Sequence, residues 1–246
     1  MLSRSAREFT AAHAFSVKSA QAMERTREIM TARNLDPTIA CESLIKKLRG
    51  KGIADERVLD AFRKTPRHLF VDGAMYAQAY DDNALPIGRG QTISQPYVVA
   101  LMTELLELGK DEKILEIGTG SGFQAAILAH FSRRVYTIER HRALGDAARK
   151  KLRELGHENV VCKVGDGTLG WPQYAPYDKI IVTAGAPATP HTLTAQLAAG
   201  GRMIIPTGDR STQQLELYDR TAEGITKRVM GGVVFVPLIG KQGWDQ

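Results

Sequence analysis

Between Pro37 and Arg49 the apolar residues Ile39, Leu44, Ile45 and Leu48 recur on one stripe, the spacing of an amphipathic helix, and Gly50 and Gly52 end it. A shorter helix follows over Asp55–Lys64, opened by acids, carrying Val58, Leu59 and Phe62, and stopped by Pro66. From Phe70 to Thr92 the pattern reads mostly as loop, punctuated by Asp81, Asp82, Asn83, Pro86, Gly88 and Gly90. A third helix is expected from Pro96 to about Leu108. Beyond Gly109 short apolar runs alternate with amphipathic ones. Strands are predicted at Lys113–Ile117, Val135–Glu139, Val160–Val164, Lys179–Ala184 and Met203–Thr207, with later strands at Leu215–Asp219 and Val233–Pro237. Helices are predicted at Phe123–Phe131, Arg142–Leu155 (with Gly156 as its C-terminal cap) and Thr189–Ala198. Strands separated by helices imply right-handed crossovers, hence an α/β fold with a doubly wound, mostly parallel, Rossmann-like sheet behind an N-terminal helical subdomain.

The expected organisation is an extension over residues 1–36, disordered or weakly helical, and one domain over 37–246. That domain divides into a helical substrate segment (37–109), a cofactor-binding core (110–210) and C-terminal strands (211–246). The first 23 residues carry Arg4, Arg7, Lys18 and five hydroxyl residues against the single acid Glu8, a faint likeness to a transit peptide. An extension, or a start upstream of Met23 or Met30, is the reading preferred here.

Composition changes this picture little. The 246 residues are 43% hydrophobic and 24% charged, ordinary for a globular chain. Net charge is +6, and its location matters more than its size: residues 1–36 hold six basic and four acidic groups, 37–70 hold eight and four, and the remainder is balanced. Residues 46–67 are expected to steer an acidic peptide. The two cysteines, Cys41 and Cys162, are too few and too far apart for a disulfide framework or a structural zinc site. No apolar run approaches the roughly 18 residues of a membrane span.

Candidate chemistry begins at Ile114-Leu115-Glu116-Ile117-Gly118-Thr119-Gly120-Ser121-Gly122. Glycines at this position let a chain turn from strand into helix and let a ligand approach the backbone. The free N–H groups of the following helix face the bound molecule. The spacing is G-x-G-x-G; a dinucleotide fingerprint wants its third glycine where this chain has Phe123, which counts against a nicotinamide enzyme. Glu139 ends the second strand, where a carboxylate can accept hydrogen bonds from both ribose hydroxyls. Asp166, between Gly165 and Gly167, could accept from an adenine amino group. Thr183 and Ala184 end the fourth strand, facing a substrate. Four consecutive strand ends thus carry site residues, as expected at the switch point of an open sheet.

In this order, E-x-G-x-G-x-G, a strand-two acid and G-D-G resemble the class I S-adenosylmethionine-dependent methyltransferases over roughly residues 110–205. A more specific segment precedes the sheet: Asp82-Asn83-Ala84-Leu85-Pro86-Ile87-Gly88-Arg89-Gly90-Gln91-Thr92-Ile93-Ser94-Gln95-Pro96. With Arg57-Val58-Leu59, Pro66-Arg67-His68, Phe70-Val71 and Val234-Phe235-Val236-Pro237-Leu238, it resembles the protein-L-isoaspartate (D-aspartate) O-methyltransferase family over about residues 40 to 240. The resemblance implies methyl transfer from S-adenosyl-L-methionine to the free α-carboxylate of L-isoaspartyl residues in damaged proteins and peptides, with D-aspartyl residues a poorer class. The ester then cyclises to a succinimide whose hydrolysis returns some normal aspartate. It further implies Ser94 as active-site residue, a cofactor site of Ile93, Ser94, Glu116, Gly118, Thr119, Gly120, Ser121, Gly122, Glu139, Arg140, Asp166 and Gly167, and a substrate site of Ser94, Thr183, Ala184, Pro237 and Leu238. No metal is expected.

Elementary chemistry supports such a site. Pro96 suits the first position of a helix, which places Gln95 at the cap and Ser94 before it, where free N–H groups and the helix dipole favour an anion. A carboxylate with pKa about 4 is ionised at neutral pH, so it needs orientation and partial desolvation rather than a strong base. Carboxylate and sulfonium neutralise each other along the reaction, which a site of low dielectric favours. A serine at this position can equally cap backbone, and the two roles are compatible. His68 reads as structural; His130, His141, His157 and His191 lack metal-ligand spacing; Trp171 and Tyr174 read as packing before adenine contact. The competing functions are an RNA or small-molecule methyltransferase on the same fold and a non-catalytic adenosine-ligand module. The expected partners are isoaspartyl polypeptides, with no nucleic acid or membrane, acting as a monomer in the cytoplasm.

Overall fold

A computed structural model describes residues 36–245. The expectations for residues 1–35 lie outside the described residues. Helix α1 (Pro37–Gly50) starts where the Asp36 carboxylate accepts the Thr38 N–H at 2.8 Å, and α2 (Glu56–Lys64) starts the same way at Asp55. Then come β1 (Leu85–Gly88), β2 (Gln91–Ile93), α3 (Pro96–Leu105), β3 (Glu112–Ile117), α4 (Phe123–Ala129), β4 (Ser132–Glu139), α5 (Arg142–Glu154) and β5 (Val160–Val164). The chain closes with β6 (Tyr177–Val182), α6 (His191–Ala195), β7 (Leu197–Gly208), β8 (Gln213–Thr221) and β9 (Gly224–Val233).

Seven strands form one sheet in the order β5-β4-β3-β6-β7-β8-β9. The first five pair in parallel, and β7-β8-β9 run antiparallel through short turns, as hairpins require. The strand order departs to either side of β3, so the crevice above the ends of β3, β4 and β6 is the switch point where such sheets bind ligands. Alternate strand residues feed two cores. Ile114, Val135, Ile181 and Ile204 pack against α1 to α4, while Leu115, Ile117, Ile180, Val182 and Met203 pack under α6. Phe123, the first residue of α4, meets Phe62 and Phe70 edge-on at 5.6 and 5.4 Å. The helical segment and the sheet therefore share one core, and each of these buried rings contributes about 1.5–3 kcal/mol of burial.

Several elements differ from expectation. The segment read as loop holds a hairpin, β1–β2, turning at Arg89 and Gly90, whose φ values of 56° and 69° match a two-residue turn of the left-handed type. Helix α3 stops at Leu105 because Glu107 turns left-handed at φ 49°. The helix expected over Thr189–Ala198 is confined to His191–Ala195: the Gln196 carbonyl accepts the Tyr177 N–H at 2.8 Å, and Leu197 already pairs with β6. The strand expected over Val233–Pro237 is instead Gly224–Val233, exposed along nearly its whole length and therefore without apolar alternation. Residues beyond it cross toward β6, where Gly185 donates to the Val236 carbonyl and accepts from the Leu238 N–H, both at 2.8 Å.

Candidate active site

The turn after β3 is left-handed at Gly118, with φ 99°, and a Cβ there would collide with the Thr183 hydroxyl. That hydroxyl bonds the carbonyls of Ile117 (2.9 Å) and Gly118 (2.8 Å), which locks the end of β6 to the turn. Across the turn, the Glu139 carboxylate accepts the Gly120 N–H at 2.9 Å and the His141 N–H at 2.8 Å. Glu139 is only 5% exposed, yet it lines the cavity that opens here, leaving lone pairs on both oxygens for further donors.

The cavity is a cleft partly open to solvent. It is lined by Ile93, Ser94, Gly118, Thr119, Gly120, Ser121, Glu139, Arg140, Gly167, Thr183, Ala184, Pro237 and Leu238, so most of the residues expected from sequence converge on one space. Its mixed polar and apolar lining suits a polar ligand with apolar parts.

Three expected residues stand elsewhere. Gly122 backs onto Ala148 and Leu152 of α5 and closes the turn from behind. Glu116 is fully buried beneath the turn; the Thr137 hydroxyl donates to it, and Thr137 in turn meets the Thr119 hydroxyl at 2.6 Å. Burial, reinforced by nearby Glu139, pushes the Glu116 carboxyl up to about 8, so it is protonated at neutral pH. Asp166 faces an adjoining depression with Lys241 and Trp244, connected to the main cavity through Arg140. Its carboxylate accepts from Thr168 N–H (2.9 Å), Thr168 hydroxyl (2.6 Å) and Lys241 N–H (2.8 Å). Burial would raise its pKa, but these hydrogen bonds hold it below the usual carboxylate range. Asp166 thus also pins the C-terminal segment over the cavity.

At the start of α3, one of the N–H groups expected to await an anion is already taken. Asp82 already accepts the Tyr97 N–H at 2.8 Å, and its other oxygen meets Lys51 at 2.5 Å. The Gln95 side chain makes no cap and donates to the Asp82 carbonyl at 2.9 Å. The Ser94 hydroxyl, half-buried in the cavity wall, has no hydrogen-bond partner among the described residues, while its carbonyl accepts from Arg67 at 2.7 Å.

Sequence reasoning missed Gln124, Phe123, Val99, Val236 and Ile239 in the lining. Gln124 is the informative one. Thr103 donates its hydroxyl to the Val99 carbonyl (2.7 Å) and so must accept from the Gln124 Nε2 (3.0 Å), which fixes the amide orientation. The Gln124 Oε1 is then a buried acceptor without a partner among the described residues, in a residue 7% exposed. A lone amide inside the apolar run Phe123–Ala129 was the available signal.

Other candidates resolve to packing. Trp171 and Tyr174 cluster with Tyr136, with Tyr174 stacked on it at 4.4 Å, away from the cavity lining. His68 meets the Tyr80 hydroxyl at 2.8 Å and His130 the Thr65 hydroxyl at 3.0 Å. Among the described residues no group of three or more His, Cys, Asp or Glu could hold a metal ion, and no helix is long and apolar enough to cross a membrane. Of the eight cations over residues 37–70, Arg49, Lys51, Arg57, Arg63 and Lys64 are ion-paired and Arg67 is buried.

Comparison with known proteins reaches most of the chain. Residues 40–243 match the family model described as protein-L-isoaspartate(D-aspartate) O-methyltransferase. A protein-L-isoaspartate O-methyltransferase of Trichlorobacter lovleyi is 59% identical over 201 residues, covering 81% of this chain and 93% of the relative. Protein-L-isoaspartate O-methyltransferase 1 of Syntrophobacter fumaroxidans is 56% identical over 199 residues, with the same coverage of 81% and 93%. A solved protein-L-isoaspartate O-methyltransferase superposes with a TM-score of 0.76 at 31% identity, covering 82% of this chain and 67% of the other. A Plasmodium falciparum structure bearing S-adenosyl-L-homocysteine shares the fold at a TM-score of 0.72 and 24% identity, covering 80% and 97%.

Proposed function

The chain belongs to the protein-L-isoaspartate(D-aspartate) O-methyltransferase family, and from that premise we propose how its own residues carry the reaction. The activity is methyl transfer from S-adenosyl-L-methionine to isoaspartyl residues. The cavity fits that cofactor on its own terms. Glu139 keeps lone pairs for ribose hydroxyls, Gln124 Oε1 is a fixed acceptor for an N–H donor such as the ammonium, and Gly120 allows close approach beneath Ile87. Glu139, Arg140, Gly167, Ile93 and the turn 118–121 would hold it, with Asp166 ordering the adenine side through Gly167 and Lys241 and Glu116 supporting the turn from below. When bound, S-adenosyl-L-methionine supplies a methyl group on a positively charged sulfur.

Ser94 lines the same space, and this juxtaposition of Ser94 with Glu139 in one cavity carries the reading. The Ser94 hydroxyl donates to one oxygen of the substrate carboxylate and leaves the other oxygen to attack. Thr183, Ala184, Pro237 and Leu238 form the substrate side, and the apolar Val99, Phe123 and Val236 exclude water. Bond formation to the carboxylate oxygen accompanies release of the thioether, and no proton moves, so neither general base nor covalent enzyme intermediate is required. Opposite charges neutralise, and the apolar wall favours that change.

The finer proposals are repair of damaged polypeptides with D-aspartyl sites as poorer substrates, a monomer acting in the cytoplasm, a domain spanning 37–246, and no nucleic-acid or membrane partner. Ion pairing of most cations over 37–70 supports the exclusion of nucleic acid, and two free cysteines accord with a reducing compartment. Methyl incorporation from labelled cofactor into an isoaspartyl peptide beside its aspartyl twin tests the reading: the isoaspartyl peptide alone should be labelled, and equal labelling overturns it.

A further inference from the structure

The sequence Pro66-Arg67-His68 and the pair Asp82-Asn83 are not absorbed by the cavity lining, yet they converge on the active-site serine. Arg67 is 1% exposed. Its Nη2 donates to the Ser94 carbonyl at 2.7 Å and to the Asn83 carbonyl at 3.4 Å, and its Nε donates to the Ala79 carbonyl at 2.9 Å. Its guanidinium also lies 4.9 Å from the centroid of Phe123, a ring that lines the cavity. Among the described residues none of its hydrogen bonds goes to a carboxylate, and its buried Nη1 has no partner. Asp82, whose charge acts on it, is engaged with Tyr97 N–H and Lys51.

A buried cation held by carbonyls alone is costly to keep. Burial lowers the Arg67 pKa to about 9, which leaves it charged at neutral pH. A neutral amide could join two carbonyls; the rigid planar fork of a guanidinium reaches three at once, from two segments, while stacking on a ring. Together with Asp82, which takes Tyr97 N–H and offers its own carbonyl to Gln95, the turn 94–97 is fastened at three of its four residues, and the Ser94 hydroxyl is left without a partner among the described residues.

We infer that Arg67 is a positioning residue for the methyl transfer, fixing Ser94 through its carbonyl so that the hydroxyl meets the substrate carboxylate in one orientation. This rests on the reading of Ser94 given above. A misplacement of about 1 Å at such a contact costs up to a hundredfold in rate, and residues that act through one another lose additivity when both are changed.

The test is a double-mutant cycle in the full chain, with kcat and KM for an isoaspartyl peptide and the affinity for S-adenosylhomocysteine measured for each variant. Arg67→Lys and Arg67→Gln should each lower kcat/KM by about ten- to a hundredfold in the wild-type background, by less than about twofold when Ser94 is already Ala, and should leave S-adenosylhomocysteine affinity unchanged. Equal losses in both backgrounds, or a parallel loss of S-adenosylhomocysteine affinity, overturn the inference while Ser94→Ala remains impaired. Wild-type turnover in Ser94→Ala instead overturns the reading of Ser94, and this inference with it. Should neither Arg67 variant fold, nitrogen-15 spectra of the wild-type guanidinium decide: adding isoaspartyl peptide to the S-adenosylhomocysteine complex should shift the Arg67 Nε–H signal, and Ser94→Ala should abolish that shift. An Arg67 signal indifferent to the peptide overturns the inference.

Discussion

The Glu139 carboxylate, at the end of β4, accepts the backbone N–H of Gly120 at 2.9 Å across the cavity floor. One acid therefore shapes the turn and offers its remaining lone pairs to the ligand. Glu139→Ala should weaken S-adenosylhomocysteine binding by about ten- to a hundredfold, the loss of about 1.5–3 kcal/mol expected for hydrogen bonds to a charged acceptor. Calorimetric titration checks this, and kcat at saturating cofactor should fall less than affinity. An unaltered affinity would remove Glu139 from the cofactor site.

Gly118→Ala meets two obstacles, a left-handed φ of 99° and the Thr183 hydroxyl in the path of the new Cβ. It should destabilise the protein by about 1–3 kcal/mol, read as a lower melting temperature. Stabilisation by added S-adenosylhomocysteine should also shrink, because the turn must shift away from β6. A variant melting with the wild type would show that the turn tolerates the methyl group.

Gln124→Leu removes an unpartnered buried acceptor and the bond to Thr103 together. The two changes oppose each other, so folding stability should stay within about 1 kcal/mol. The kcat/KM should fall about tenfold if the fixed Oε1 accepts an N–H from a bound molecule. Steady-state kinetics beside thermal denaturation separates the two. Unchanged kcat/KM would mark Gln124 as packing alone.

Glu116 gives a pH dependence of stability with a definite sign. Its folded carboxyl is raised, mainly by burial, to about 8, well above the unfolded value. Below the unfolded pKa both states hold the proton and its full contribution is present. As pH rises toward 8 the unfolded state ionises while the folded state stays protonated, so stability declines by up to about 1.4 kcal/mol per pH unit. Glu116→Gln should flatten this decline between about pH 5 and 8, measured by denaturant titration. An equally steep decline in the variant would assign the slope to other groups.

The parts of the site visible in sequence are those whose backbone demands leave a residue-type mark. Gly118 and Gly120 had to be glycines, Glu139 falls where a β4 strand must end, and Ser94 precedes a helix-starting proline. What could not be read is tertiary in origin. Nothing local to Asp82 announces that it occupies the α3 terminus fifteen positions away, nor does Arg67 announce a contact with residue 94. Strand β9 escaped for a related reason: a sheet-edge strand exposed on both faces has no apolar alternation to detect. Helix α6 was overestimated because 197–208 propagates the sheet from Tyr177 despite a helix-like start.

Ser94 itself is placed to orient the substrate rather than to hold the fold. Its hydroxyl has no partner among the described residues, and the Tyr97 N–H at the helix start beside it is already taken by Asp82, so the side chain is not serving as a cap. Ser94→Ala should therefore fold normally and melt close to the wild type. Its kcat should fall about ten- to a hundredfold, the worth of one hydrogen bond to a charged acceptor, and S-adenosylhomocysteine affinity should hold within about twofold. Because the nucleophile is a carboxylate with pKa about 4, ionised without help, kcat should stay level across neutral pH in both proteins and decline only as the medium approaches that value. A kcat that rises through neutral pH with the profile of a titrating base would show that a proton is removed before transfer, and a collapse of cofactor affinity in Ser94→Ala would move the hydroxyl from substrate to cofactor. A level profile with reduced height, and intact cofactor binding, is the outcome that a purely orienting hydroxyl requires.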